Sequence, residues 1–186
     1  MKNVIHIFGA SGSGTTTLGK KISEELGYKH MDTDDYFWMP TDPKYTLKRP
    51  REERIELMVR DINAYENVVI SGSLVGWGDE LMPYFTLAVR IEIDRDLRIA
   101  RLIAREKGRY GARVEPGGDM HLQHTEFVEW AKAYETGGLD MRSRARHDEW
   151  QKQLSCELLR VDGADTPEEN FEKVKEILLK QNKIAE

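Results

Sequence analysis

A short apolar run near the start of the chain breaks into a glycine-rich turn and then into a helical pattern. The run is Val4–Phe8, and the turn carries Gly9, Gly12 and Gly14. Glycines at these positions let backbone N–H groups approach an anion without a Cβ atom in the way. The positive end of the helix that follows adds to such an anion cradle. The sequence therefore predicts a strand, a phosphate-binding loop and a helix in succession, and this unit restricts the chain to an α/β fold.

One position departs from the Walker A pattern, whose spacing Gly9 and Gly14 match. The residue after Gly14 is normally a lysine that places its charge against the β and γ phosphates, and here it is Thr15. The motif is still supported by its context, because the loop directly follows an apolar strand and directly precedes a helix. The predicted nucleotide-binding residues are Gly9, Ser11, Gly12, Ser13, Gly14, Thr15, Thr16 and Thr17. Lys20 and Lys21, or arginines from elsewhere in the chain, are candidates to replace the missing charge, and among the arginines we expect Arg109 and Arg113 to do so.

Composition narrows the class of protein further. A length of 186 residues favours a single domain over residues 1–186, and a net charge of −5 argues against nucleic-acid binding driven by bulk charge. Since Cys156 is the only cysteine, neither an intrachain disulfide nor a cysteine-based zinc site can form. No apolar run is long enough for a membrane helix or a signal segment. We expect a cytoplasmic protein, a monomer or homodimer, with no membrane or nucleic-acid partner.

Five apolar segments alternate with helical patterns along the chain. The predicted strands cover residues 4–8, 28–31, 67–71, 87–93 and 157–161, and the predicted helices cover 15–26, 51–65, 95–107, 122–135, 141–154 and 167–181. This alternation predicts a parallel sheet with right-handed crossovers and helices on both faces. Residues 108–118 are rich in glycine and carry Arg109 and Arg113, which is typical of a mobile lid. We place this predicted lid at about residues 108–121.

Three acids follow the second predicted strand, at the sheet end where α/β proteins place ligand-binding loops. Asp32 and Asp34 are spaced to alternate along an extended segment, and Asp35 follows them. Phosphoryl transfer needs magnesium and a group that orients or deprotonates the acceptor. The Thr16 hydroxyl is the expected magnesium ligand, and the acids can divide the roles of metal-water ligand and acceptor base. The alternative is that these acids only cap a turn.

The loop Gly9–Thr17 resembles that of the P-loop small-molecule and nucleotide kinases, and its lysine-less form resembles the loop of archaeal cytidylate kinases. Asp32-Thr33-Asp34 is similar to the Asp-x-Asp segment of shikimate and gluconate kinases, and Asp34–Trp38 resembles a segment of uridine kinase-like enzymes. The resemblance, which extends to adenylate kinase-like enzymes, implies a P-loop NTPase fold. This fold has three α/β/α layers, a five-stranded parallel sheet in the order 2-3-1-4-5 and a lid. It also implies that Asp32 assists magnesium and that Asp34 holds the acceptor hydroxyl.

These observations predict an ATP- and Mg²⁺-dependent kinase that moves the γ-phosphoryl group to a small-molecule acceptor. The acceptor is expected to be a nucleoside monophosphate, a nucleoside or a shikimate-like acid. The predicted catalytic residues are Asp34, Arg109 and Arg113, the predicted metal-site residues are Thr16 and Asp32, and the predicted substrate-binding residues are Asp34, Asp35, Arg54, Gly72 and Ser73. Arg51, like Arg54, suggests an anionic group on the acceptor, whereas the aromatic residues Tyr36–Trp38 suggest a base or a ring.

Other arginines and other functions stay open at this point. In related kinases a second arginine comes from the helix after the lid, and Arg142, Arg144 and Arg146 are all candidates. Arg98, near the start of its predicted helix, is expected to be solvated. The alternative function is a nucleotide-binding switch or slow NTPase, which the missing lysine favours. A polynucleotide-end kinase is disfavoured by the acidic charge balance.

Overall fold

The computed structural model describes residues 2–181. The strands are β1 (Val4–Gly9), β2 (Lys29–Asp32), β3 (Val68–Ser71), β4 (Leu87–Glu92) and β5 (Glu157–Asp162). The α-helices are α1 (Thr15–Leu26), α2 (Thr33–Phe37), α3 (Arg51–Ala64), α4 (Arg95–Tyr110), α5 (His121–Lys132), α6 (Arg144–Gln151) and α7 (Pro167–Lys180). Short 3-10 helices cover Asp79–Tyr84, Gly111–Val114 and Ala133–Glu135. No helix within the described residues is both long enough and apolar enough to cross a membrane.

The five strands form one parallel sheet in the order β2-β3-β1-β4-β5, which confirms the predicted fold. β1 is the central strand, with Ile5 paired to Val69 of β3 and to Leu87 of β4. Every residue of β1 and β3 is buried, as expected for parallel strands covered on both faces. The carboxyl ends of the strands therefore meet at one edge of the sheet, and the loop after β1 lies at the middle of that edge.

Side chains alternate along β1 and divide the core into two layers. Val4 and Phe8 belong to the apolar cluster that includes residues of α3 and α6, whereas Ile5 and Ile7 belong to the cluster of α1 and α7. Full burial of one such aliphatic side chain contributes about 1.5–3 kcal/mol, so these layers hold the sheet between its helices. The two layers fix the position of the central strand, and with it the start of the loop after Gly9.

Two expectations about local structure are wrong. The segment after β2 is not extended, because Thr33–Phe37 forms one turn of helix, α2, whose N-cap Asp32 accepts a hydrogen bond from the Asp34 amide at 3.0 Å. The predicted lid is not a glycine-rich loop throughout, because α4 continues through Gly108 to Tyr110 and a 3-10 turn follows it. In both places a short helical turn replaces expected irregular backbone.

Candidate functional site

The loop between β1 and α1, residues 9–14, is called the phosphate loop here. Gly12 and Gly14 have φ angles of +88° and +104°, which side-chain-bearing residues rarely adopt. A Cβ atom on Gly12 would lie 2.9 Å from the Arg98 carbonyl oxygen, so the loop approaches α4 closely. No side chain caps the start of α1 at Gly14. The amides of the first helical turn therefore face no competing side-chain cap, which suits an anion.

Thr16 and Asp32, the two predicted metal-site residues, are in direct contact. The Thr16 hydroxyl donates a hydrogen bond of 2.9 Å to Asp32 Oδ2, and Asp32 Oδ1 caps α2. Within residues 2–181 there is no group of three or more His, Cys, Asp or Glu side chains that could hold a metal alone. Magnesium commonly binds through one or two carboxylates, waters and substrate phosphates. The hydroxyl and the carboxylate therefore fit an ion that is shared with bound phosphates.

Asp34 lies two residues after Asp32, in the first turn of α2, and its pKa is perturbed. Its pKa is raised, first because nearby protein atoms desolvate the carboxyl group and second because the Asp32 carboxylate is close. The guanidinium of Arg142 opposes this shift. Although protein atoms surround part of the carboxyl group, residue Asp34 as a whole remains exposed, so solvent can exchange its proton. The pKa of Asp35 is raised for the same two reasons, so geometry alone leaves both acids as candidates for the acceptor base.

Of the three arginines that follow the lid, Arg142 is the one brought to the phosphate loop. Its Nη2 donates to Ser11 Oγ at 2.7 Å, and its guanidinium lies 4.5 Å from the centre of the Trp130 ring. Burial lowers its pKa, and the nearby Asp34 carboxylate opposes that effect. Arg146 instead packs against Gly76, and Arg144 is exposed. The sequence left this choice open because the three residues alternate within five positions.

The expectation that Arg98 is solvated is wrong. Arg98 is completely buried, and its Nη1 donates to the Ser11 carbonyl oxygen at 3.0 Å. Its Nη2 binds the Glu135 carboxylate at 2.9 Å and the Ala131 carbonyl oxygen at 3.0 Å. The burial of this charge is compensated by an ion pair and by carbonyl oxygens, so Arg98 braces the outer side of the phosphate loop.

The predicted lid arginines lie on the surface next to acids. Arg113 forms ion pairs of 2.7 Å with Asp119 and 2.9 Å with Asp42, while Arg109 lies 4.0 Å from Glu106. The Arg113–Asp42 pair joins the lid to the loop of residues 38–48. That loop is closed at its base by the bridge between Trp38 and Lys48. The structure thus attaches Arg113 to the 38–48 loop, and a catalytic role for Arg109 or Arg113 remains a prediction.

Arg54 is a buried cation beside the same loop. Its guanidinium lies 3.8 Å from the Phe37 ring centre and 5.6 Å from that of Trp77, and its Nε donates to the Arg49 carbonyl oxygen at 2.6 Å. The side chain is only 8% exposed and makes no ion pair among the described residues. Arg51, by contrast, is exposed and paired with Glu80 at 2.6 Å. Burial lowers the Arg54 pKa, and an anionic ligand would supply the partner that this buried positive charge lacks.

Gly72 and Ser73 follow β3, and each is in close contact with another part of the protein. A Cβ atom on Gly72 would collide with Thr33 at the start of α2, so only glycine fits between β3 and that turn. Ser73 Oγ lies 2.9 Å from His147 Nε2, and His147 Nδ1 lies 2.8 Å from the Tyr134 hydroxyl. Burial lowers the His147 pKa to about 3, so the ring is neutral. Sequence reasoning missed this chain of hydrogen bonds, because its members are distant in sequence and show no shared pattern.

Comparisons with known proteins identify the family and support the fold. A family model described as AAA domain matches residues 5–122. The uncharacterized protein YqaC of Bacillus subtilis is 42% identical over 178 residues, covering 96% of this chain and 98% of that protein. A cytidylate kinase of Thermococcus sibiricus is 30% identical over 156 residues, covering 78% of this chain and 76% of that protein. The crystal structure of a shikimate kinase from Bacteroides thetaiotaomicron shares the fold, with a TM-score of 0.57, 18% identity, and coverage of 95% of this chain and 98% of that one.

Proposed function

The chain belongs to the AAA domain family and to the P-loop nucleotide kinase group, and from that premise we propose that it is an ATP- and magnesium-dependent kinase. It transfers the γ-phosphoryl group to a small-molecule acceptor. The observation that carries the proposal is the 2.9 Å hydrogen bond between Thr16 and Asp32. This bond joins the first turn of α1, directly after the phosphate loop, to the acid segment that contains Asp34. We therefore place the nucleotide-binding unit and the candidate acceptor acid in one cleft.

The residues of the cleft divide the work of phosphoryl transfer. The phosphate-loop amides and the start of α1 hold the phosphates, with Gly12 and Gly14 giving the loop its shape. Thr16 and Asp32 would hold magnesium, which neutralises phosphate charge and orients the transferred group when bound. The bond from the γ phosphorus to the β–γ bridging oxygen breaks, and a bond from the acceptor oxygen to that phosphorus forms. Where the acceptor is a hydroxyl group, Asp34 takes its proton.

The acceptor side of the cleft favours an anionic small molecule. Arg54 is buried without an acidic partner among the described residues and is stacked on Phe37 and Trp77. A guanidinium held in this way binds a phosphate or a carboxylate well, because its planar donors match both groups. Cytidylate kinases and shikimate kinases are named for acceptors of these two kinds. We therefore propose a nucleoside monophosphate or a hydroxylated carboxylic acid as the acceptor.

The test is conversion of ATP to ADP with Mg²⁺ against a panel of nucleoside monophosphates, nucleosides and hydroxylated acids. Each rate is compared with the rate without acceptor, and the phosphorylated product is identified by mass spectrometry. The expected result is stimulation by an anionic acceptor, with a new phosphate ester or phosphoanhydride in the product. Tight MgATP binding without any stimulated turnover would instead favour the nucleotide-binding switch.

A further inference from the structure

The phosphate loop needs a positive charge that its own sequence does not supply. Thr15 occupies the position of the usual lysine, so a cation from another element must face the phosphates. Lys21, on α1, is already engaged by Glu25 at 2.8 Å and by Glu168 at 3.2 Å. Arg113 is engaged by two acids. Lys21 and Arg113, two of the predicted substitutes, are therefore neutralised by partners outside the phosphate loop.

Arg98 also touches the loop but is committed to the interior. It is completely buried, and its guanidinium is divided between the Glu135 carboxylate and two carbonyl oxygens, one of them on Ser11. A cation held by an ion pair and by backbone oxygens has little capacity left for a ligand. Arg98 therefore fixes the loop from behind.

Arg142 differs from these residues in its partners. Within the described part of the chain it makes no ion pair; its guanidinium contacts the neutral hydroxyl of Ser11 and the ring of Trp130. The Asp34 carboxylate is near enough to perturb it. Arg142 thus lies between the phosphate loop and the candidate acceptor acid. A phosphoryl group that passes from nucleotide to acceptor must cross this region.

We propose that Arg142 supplies, from the segment before α6, the positive charge that a lysine at position 15 would otherwise place against the β and γ phosphates. This inference rests on the proposed kinase function and assigns one of its catalytic residues. The contact with Ser11 Oγ is a hydrogen bond to a neutral acceptor, and a phosphate oxygen forms a stronger, charge-assisted bond. Bound nucleotide therefore draws the guanidinium from the hydroxyl onto the phosphates.

Trp130 lowers the entropy that Arg142 loses when it binds a phosphate. The guanidinium lies over the indole ring at 4.5 Å, which restricts its orientation before any ligand is bound. The planar fork has five N–H donors, and the bond to Ser11 uses one Nη2 donor. The remaining donors can reach a second phosphate oxygen or the transferring group. Arg142 makes no covalent bond in the reaction and acts only through charge and hydrogen bonding.

The experiment moves the charge back to its usual place. We compare the wild type with Arg142→Gln, Thr15→Lys and the double variant, using Arg144→Gln as the control because Arg144 is exposed on the neighbouring helical turn. Isothermal titration calorimetry measures the Kd of MgATP and of inorganic tripolyphosphate, and coupled assays measure kcat with the acceptor found above. Melting curves establish that each variant is folded.

Arg142→Gln is expected to weaken tripolyphosphate and MgATP binding by about 10- to 100-fold, the effect of losing one hydrogen bond to a charged group. Thr15→Lys in that background is expected to restore most of this loss, whereas Arg144→Gln changes neither Kd nor kcat. Unchanged affinity and kcat in Arg142→Gln would overturn the proposal. A double variant that is no better than Arg142→Gln, although Thr15→Lys alone binds like the wild type, would overturn it as well.

Two further comparisons cover the cases in which Thr15→Lys fails or no acceptor is found. If Thr15→Lys alone does not fold or bind, Arg142→Lys replaces it, since lysine keeps the charge but not the planar fork. Arg142→Lys must then bind MgATP more tightly than Arg142→Gln, and equal weakness of both variants refutes the role of charge. Because tripolyphosphate binding needs no acceptor, the pattern of affinities can hold even where no acceptor stimulates turnover. In that case the proposed kinase function fails while the assignment of Arg142 stands.

Discussion

Gly12→Ala tests whether the phosphate loop binds nucleotide only in the backbone conformation described above. Gly12 has a φ angle of +88°, and an L-residue enters the left-handed region at a cost of about 1–2 kcal/mol. A new Cβ atom would also lie 2.9 Å from the Arg98 carbonyl oxygen and 3.4 Å from Leu102. The loop must then move away from α4, and overpacking brings the expected loss of stability to about 2–5 kcal/mol.

Two other glycines separate backbone strain from displacement of the loop. Gly14 and Gly27 have φ angles of +104° and +69°, and neither has an atom within 4 Å of the position that a Cβ atom would take. Gly14→Ala and Gly27→Ala therefore introduce strain alone, about 1–2 kcal/mol each. Gly27 ends α1 at the opposite end from the phosphate loop, which makes Gly27→Ala the control for effects on binding.

Urea denaturation measures the free energy of unfolding of the three variants, and calorimetry measures their Kd for MgATP. We expect Gly12→Ala to lose the most stability and to bind MgATP at least about tenfold more weakly, a difference of about 1.4 kcal/mol. Gly27→Ala should bind like the wild type. Normal MgATP affinity in Gly12→Ala would refute the assignment of this loop as the phosphate site. Equal destabilisation in all three variants would refute the argument from the Arg98 contact.

Three more predictions follow from buried or perturbed charges. Asp34→Asn should lower kcat by about 10²–10⁴-fold with little change in MgATP Kd. Because the pKa of Asp34 is raised, the wild-type rate should begin to fall with decreasing pH at a pH above the usual range for aspartate. A pH–rate profile without this acidic decrease would contradict the role of Asp34 as the base. Arg54→Met should raise the KM for an anionic acceptor in steady-state kinetics by about 10- to 100-fold, the effect of losing one hydrogen bond to a charged group. Arg51→Met should leave this KM unchanged, because the Arg51 guanidinium is already paired with Glu80. Burial lowers the His6 pKa to about 4, so between pH 6.5 and pH 4 the His6 ring takes up a proton only in the unfolded chain. Urea denaturation should therefore show that His6 lowers the free energy of unfolding by about 1.4 kcal/mol per pH unit over this range, in total about 3 kcal/mol. If His6→Gln lost stability with falling pH as steeply as the wild type, His6 would not be the cause.

The sheet could be predicted from sequence because each strand is marked locally. β1 and β3 are continuous apolar runs, and Gly9 and Gly72 end them where the chain turns. The loop Gly9–Thr17 indicated the P-loop kinase group, and the comparisons confirm that prediction. Once the group was known, the strand order followed, and the structure confirms it. Short-range patterns of hydrophobicity and glycine spacing therefore carried most of the fold.

The candidate site was less predictable because its contacts join distant parts of the chain. Arg98 is buried through Glu135, which lies 37 residues away, and no local pattern marks that partnership. Arg142 and Ser11 are separated by 131 residues. The turn α2 was missed for another reason: a single helical turn is too short to show an apolar period, although its cap Asp32 and the two acids that follow were a usable signal. The predicted roles of individual site residues remain to be tested.

The 38–48 loop is held at its stem, and the Arg113–Asp42 ion pair ties it to the lid. The Met39 amide donates to the Leu47 carbonyl oxygen at 2.8 Å, and the Arg49 amide donates to the Phe37 carbonyl oxygen at 2.9 Å. With both ends fixed, a doubling of the length between them costs only about 0.6 kcal/mol of chain entropy. The loop can therefore change in length and sequence at little cost in stability. Insertions and replacements within it should therefore leave the central strand and the loop that follows Gly9 unchanged.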